Sequence, residues 1–205
     1  MNPIIDNFFE QEEIELIKTH IYDRFNKEEK YIENMQGRAR MEISPLDLPL
    51  TMRKKLINYS FMFDKQCRMN TFTFVRYSNE YGVPILVPHM DRITPNEKIY
   101  NKLTLDYQLD SNTEWPIYVE DQEFVLKDNQ ALAINVTENV HWRGAKKFND
   151  GEYVDMIFFH FSNIVEEKHR LTSDEQDRIS KDYSIKHGEQ LDKAIPGWRD
   201  WYEQG

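Results

Sequence analysis

From residue 70 onward the chain changes period. Thr71-Phe-Thr-Phe-Val-Arg-Tyr77 is β-branched and aromatic, as strands are. Further extended segments follow at Ile85–His89, Leu103–Leu109, Trp115–Glu120, Glu123–Leu126, Ala131–Val136, Asn139–Arg143 and Tyr153–Phe161. The stretches between them carry turn chemistry: Ser78 to Gly82, Asp110-Ser-Asn112, Asp121-Gln122, Lys127-Asp-Asn129 and Asn149-Asp-Gly151. About eight short strands with helices at both ends read as a small antiparallel barrel or double sheet with helices packed outside.

The flanks have helical period. Ile14, Ile17, Ile21 and Phe25 form one apolar stripe on a helix from about Gln11 to Phe25. A second helix is expected from Leu50 to Phe63, with Met52, Leu56, Tyr59 and Phe63 on one side. Residues 26–47 are charged and read as an irregular surface loop near the mouth of the site. Thr172-Ser-Asp-Glu175 is a capping-box pattern, and the helix it opens is expected to run to about Lys193. Beyond Pro196-Gly197, Trp198, Trp201 and Tyr202 are expected to pack back on the body. The whole chain, 1–205, reads as one domain: supporting helices and loop (1–69), barrel (70–162) and helical tail (163–205).

Two short motifs carry the chemistry. His89 and Asp91 are two residues apart, so a period-two strand points both to one side. His141 sits in a later strand, at the start of His141-Trp-Arg143. Two histidines and one carboxylate can hold one face of an iron(II) ion and leave the other open to a bidentate cosubstrate and dioxygen. Parity also sorts Leu103–Leu109. Its odd positions are apolar and face the helices, so Thr104, Asp106 and Gln108 should line the barrel. Asp106 inside would need a cation, and Arg143 is a possible partner. Tyr77 is a further candidate hydroxyl donor. His160 reads as a buried structural histidine.

These motifs, with Phe74-Val-Arg-Tyr77, Gly82, Pro88-His-Met-Asp91, Leu103–Leu109 and the approach Leu126–Ala133, resemble the iron(II)/2-oxoglutarate-dependent dioxygenases near the prolyl-hydroxylase-like branch. The resemblance covers most of the chain. It implies a mainly β fold with flanking helices, the distorted double-stranded β-helix (a jelly-roll, cupin-like barrel). It implies an enzyme, a hydroxylase that couples oxidative decarboxylation of 2-oxoglutarate to substrate oxidation. Its cofactors would be Fe(II), 2-oxoglutarate and O2, with His89, Asp91 and His141 as ligands. The family places a base shortly after its distal histidine to pair with the far carboxylate of 2-oxoglutarate. Here positions 150–153 read Asp-Gly-Glu-Tyr and hold none. Arg143, two residues beyond His141 and pointing the same way, is the leading anchor, with Tyr77, Thr104 and Gln108 as hydrogen-bond partners. Arg76, Lys146 and Lys147 are the other bases nearby, and Arg92 could orient the ligand loop.

A formal net charge of −10 disfavours duplex nucleic acid as a partner and leaves a small-molecule or peptidyl substrate. Cys67 is the only cysteine, the start of the chain shows no signal-peptide pattern, and no apolar run approaches the roughly 20 residues of a membrane helix. A cytoplasmic protein without membrane contact is therefore expected. The residues also accommodate a cupin-like metalloenzyme that does not use 2-oxoglutarate, or a non-catalytic barrel that serves as a binding module.

Overall fold

Strand alternation divides the molecule into layers. The computed structural model describes residues 4–27, 30–91, 99–164, 171–189 and 192. Arg92, most of the 92–101 loop, His169 and the tryptophans of the tail lie outside them. The strands are β1 (Ile4–Ile5), β2 (Tyr31–Glu33), β3 (Arg38–Ile43), β4 (Arg68–Ser78), β5 (Leu86–His89), β6 (Ile99–Ser111), β7 (Ile117–Val119), β8 (Gln122–Phe124), β9 (Gln130–Ile134), β10 (His141–Arg143) and β11 (Tyr153–Ile164). The helices are α1 (Gln11–Lys27), α2 (Leu50–Phe63) and α3 (Ser173–Lys186). The larger sheet runs β1-β9-β6-β11-β4-β3-β2 and the smaller one β5-β10-β7-β8. Every pairing among these strands is antiparallel. No helix among the described residues is long and apolar enough to cross a membrane.

On the outer face of the large sheet, Phe72, Phe74, Leu103, Leu105, Tyr107, Phe159 and Phe161 meet the α1 stripe of Ile14, Ile17, Ile21 and Phe25, together with Met52 and Leu56 of α2. Each such side chain, fully buried, contributes about 1.5–3 kcal/mol. On the inner face, Val75, Tyr77, Val154 and Met156 meet Trp115 and Ile117 across the gap between the sheets. Helix α3 packs beyond the small sheet, where Ile179 and Tyr183 lie against Met90, Val140 and Trp142. Its capping box forms in full: Glu175 N donates to Thr172 Oγ1, and Thr172 N donates to the Glu175 carboxylate.

One expectation fails. Residues 26–47 are not an irregular loop: β2 and β3 extend the large sheet beyond β4. Arg38-Ala-Arg-Met-Glu-Ile43 alternates strictly, with Ala39, Met41 and Ile43 buried against the helices. Two glycines fasten this hairpin to the β4–β5 connection. Gly37 has φ +57, and a Cβ there would lie 2.4 Å from Pro84 N; Gly82 has φ +125, and its Cβ would lie 2.2 Å from Asn34 O. Neither position accepts a side chain.

Arg76 and Asp155 face each other on the helix side of the sheet. Nε and Nη2 of Arg76 donate to the carboxylate at 2.8 and 2.7 Å, and Tyr22 of α1 adds its hydroxyl at 2.9 Å. Asp155 is fully buried. Arg76→Met leaves that carboxylate without its cation and is expected to destabilise the protein by about 3–5 kcal/mol in urea unfolding.

Candidate metal centre and cavity

Register brings the two histidines together. Strand β10 lies between β5 and β7, with His141 directly opposite His89. Their rings are 4.2 Å apart, centroid to centroid. Asp91 follows β5 by two residues, and its backbone N–H donates to Val136 O at 2.7 Å. Its Oδ1 lies 3.8 Å from Nε2 of both histidines. All three ligand atoms fall within 4.8 Å of one another.

The tautomers suit a metal. His89 Nδ1 is 2.9 Å from Val87 O and His141 Nδ1 is 3.3 Å from Asn139 O. A carbonyl only accepts, so each Nδ1 carries the proton and each Nε2 presents a lone pair toward Asp91. Burial, reinforced by His89, lowers the pKa of His141 to about 4, which keeps the ring neutral. Neutral imidazole, neutral imidazole and carboxylate on one side of a cavity fit a hard-to-borderline divalent cation such as iron(II).

The cavity beside them has a volume of about 240 Å³. Thr104, Asp106 and His160 of the large sheet form one wall, and Arg38 and Arg40 of β3 also reach it. Thr104 Oγ1 is 2.9 Å from His160 Nδ1, so His160 is positioned within the site by a hydroxyl. Burial raises the Asp106 carboxyl to about 7, against the pull of Arg143 and with a push from Asp91.

The other candidate residues are distributed unevenly. Gln108 does not line the cavity; its amide donates to Ser111 Oγ, Leu126 O and Asp128 Oδ1. Tyr77 is fully buried, with its ring edge-on to Trp115 and its hydroxyl accepting from Arg38 Nη1 at 3.3 Å. Arg76 is engaged with Asp155, and Lys146 donates to Thr113 Oγ1 and Glu114 O. Positions 150–152 fall before β11 and Tyr153 is its first residue; the first two inward positions of the strand are Val154 and Met156. Arg143 is 1 % exposed. Its Nη1 donates to Trp115 O, its Nη2 lies 3.7 Å from Met156 Sδ, and its guanidinium sits 4.9 Å over the Trp115 ring. Nε has no partner, and no carboxylate of the described residues forms an ion pair with it. Burial draws its pKa down, against Tyr77 and Asp106.

Sequence reasoning missed the part played by α3. Gln176 Nε2 donates to Asp91 O and Thr137 O, both at 3.1 Å, and Ser180 Oγ accepts from Met90 N at 3.2 Å. The seam Gln176, Ser180, Ser184 is buried although polar, at helical spacing of four. It ties the backbone that carries Asp91 to the helix. Gln176→Ala leaves two carbonyls without a donor. It is expected to lower stability by about 1–3 kcal/mol and to speed amide exchange at residues 89–91.

No family model matches this sequence, and no curated protein matches it. Solved structures do match in fold. HygX from Streptomyces hygroscopicus, with nickel and 2-oxoglutarate bound, superposes with a TM-score of 0.54 at 10% identity, over 83% of this chain and 84% of that one. The viral collagen prolyl hydroxylase of Paramecium bursaria Chlorella virus-1, as its 2-oxoglutarate complex, gives 0.56 at 12%, over 80% and 95%. The non-haem α-ketoglutarate-dependent epimerase SnoN from nogalamycin biosynthesis gives 0.60 at 12%, over 84% and 90%. The chain therefore has the double-stranded β-helix fold of these 2-oxoglutarate-dependent oxygenases.

Proposed function

We propose that this protein is an iron(II)- and 2-oxoglutarate-dependent dioxygenase that hydroxylates an organic substrate. The observation that carries the reading is the set of His89, Asp91 and His141, with both Nε2 lone pairs facing one carboxylate on a cavity wall inside this fold. Bound iron(II) would supply the redox chemistry that couples 2-oxoglutarate decarboxylation to substrate oxidation. The chain's own residues do the rest. Val87 O and Asn139 O hold the two rings, and Gln176 holds the Asp91 backbone. Thr104 offers a hydroxyl to the cavity.

Arg143 is the proposed anchor for the far carboxylate of 2-oxoglutarate. A fully buried guanidinium with an unpartnered Nε is costly to keep unless an anion completes it. Asp106 is the nearest acid to act on it electrostatically, yet it forms no ion pair with it. Tyr77 also acts on it electrostatically and is the proposed hydroxyl partner beside it. The substrate is a small molecule or a peptidyl group.

Two outcomes follow. Iron(II) and 2-oxoglutarate added without oxygen should give a weak visible absorption band, absent in Asp91→Ala and in His89→Ala. Unchanged iron affinity in both variants would sink the triad assignment. Arg143→Met should weaken 2-oxoglutarate binding by about 2–5 kcal/mol, read by calorimetry on the metal-loaded protein. Its stability without ligands should fall by no more than about 1–3 kcal/mol, the loss expected for Trp115 O left without this donor, because the replaced charge lacks an ion-pair partner. A larger loss of stability with unchanged 2-oxoglutarate affinity would assign Arg143 a structural role. Succinate release from 2-oxoglutarate separates this function from a cupin-like enzyme that does not use the cosubstrate.

A further inference from the structure

Strand β3 lies outside the strands that carry the metal ligands, yet it sends two cations into the same cavity. Arg38, Arg40 and Glu42 alternate with buried Ala39, Met41 and Ile43. Register places Arg38 opposite Tyr77 and Arg40 opposite Val75, so both arginines stand on the inward face. Both line the cavity that His89, Asp91 and His141 also line.

Their pairing is incomplete. Glu33 of β2 is the one carboxylate among the described residues that pairs with either. It meets Nε of Arg38 through Oε2 and Nε of Arg40 through Oε1, the latter at 3.4 Å. One carboxylate thus faces two guanidiniums and leaves one positive charge over. In a chain of net charge −10, that surplus at a cavity wall is local and directional. Both side chains are also held in place. Arg38 donates to Tyr77 OH, and the Arg40 guanidinium lies 4.9 Å over the Tyr31 ring. The hairpin itself is fixed at Gly37 and Gly82, where backbone meets backbone. A guanidinium so oriented presents parallel N–H groups that match an oxyanion.

Arg40 differs from Arg143 in access, and Arg38, 13 % exposed, lies between them. The Arg40 side chain is 45 % exposed, whereas Arg143 is 1 % exposed. The deepest cation suits a cosubstrate enclosed by the barrel, and Arg40, with Arg38 beside it, suits what arrives from solvent. We propose that Arg38 and Arg40 bind an oxyanion group, carboxylate or phosphate, on the substrate of this enzyme. This deepens the oxygenase reading and rests on it: the substrate class becomes small acids or acidic side chains, and β3 becomes the specificity wall.

The test uses the full chain loaded with zinc and 2-oxoglutarate, so that no turnover occurs. Arginine Nε–H signals are followed by NMR while acetate, or in a second series methyl phosphate, is added at constant ionic strength. Saturable shifts of the Arg38 and Arg40 signals are expected, and the tighter of the two anions names the group. R40Q, at a half-exposed position, should keep the wild-type unfolding midpoint and bind at least about tenfold more weakly. Signals that do not move, or R40Q binding with unchanged affinity, overturn the proposal. So do Arg38 and Arg40 signals that respond to 2-oxoglutarate and then no longer to either anion, since the site would then belong to the cosubstrate. Cosubstrate binding is read separately from the His89 and His141 ring signals. Failure there removes the oxygenase reading, while the anion series on the zinc-only protein still decides the arginine site.

Discussion

The pairing of β10 with β5 is the constraint on which the site depends. It sets His141 opposite His89, and a slip of β10 by one residue would turn the His141 ring to the other face of the small sheet. The register is defended on both faces. Inside, Arg143 pairs across to Leu86 and reaches Trp115 O, while outside, Val140 and Trp142 are buried against Met90 and α3. A strand of three residues could not hold a register by its own hydrogen bonds. It holds because all three side chains are buried, His141 and Arg143 on the inner side and Trp142 against α3.

Helix α3 extends that logic to the carboxylate. Asp91 comes after the last residue of β5, where pairing with β10 has ended. Its position is fixed by three backbone bonds made to other elements: its own N–H to Val136 O, Met90 N to Ser180 Oγ, and its carbonyl to Gln176 Nε2. The ligand is therefore held by a tertiary clamp and the histidines by the sheet. A metal site built this way is in place before the ion arrives, which limits the reorganisation needed on binding.

Much of this was legible in the sequence, and the rest was hidden for identifiable reasons. The stripe of α1, the Met52 and Leu56 part of the α2 stripe and the parity of β6 are direct readings of period, because apolar side chains mark the buried face; Phe63, expected on the α2 stripe, is exposed. His89 and Asp91 were legible as a pair from their two-residue spacing, although the strand ends at His89 and other elements hold Asp91 beyond it. Strand β3 was hidden by its arginines: a cavity-facing strand with charges inside looks like a charged loop when hydrophobicity is averaged. Its strict alternation, Arg-Ala-Arg-Met-Glu-Ile, was the available signal. The clamp of α3 left no comparable trace, since Gln176, Ser180 and Ser184 form a buried seam without an apolar residue. Gln108 shows the opposite limit. Parity correctly turned it inward, but parity does not say how far along a strand the cavity extends, and Gln108 lies beyond it among Ser111, Leu126 and Asp128.

The missing base after His141 has a physical account in the same terms. Counting residues from the histidine assumes a short connection, but the segment 144–152 between β10 and β11 carries the count onto a turn. The inward positions of β11 that follow are Val154 and Met156, both buried and apolar. Arg143 fills the space in front of them from the facing sheet, with its Nη2 against Met156 Sδ. A cation at that depth needs an anion. Among the described residues the carboxylate that acts on it is Asp106, whose carboxyl is itself raised to about 7 by burial and does not close an ion pair with Arg143. Arg143 is thus buried with its Nε unpartnered and with Asp106, the carboxylate that acts on it, not joined to it; the proposed cosubstrate role rests on that feature.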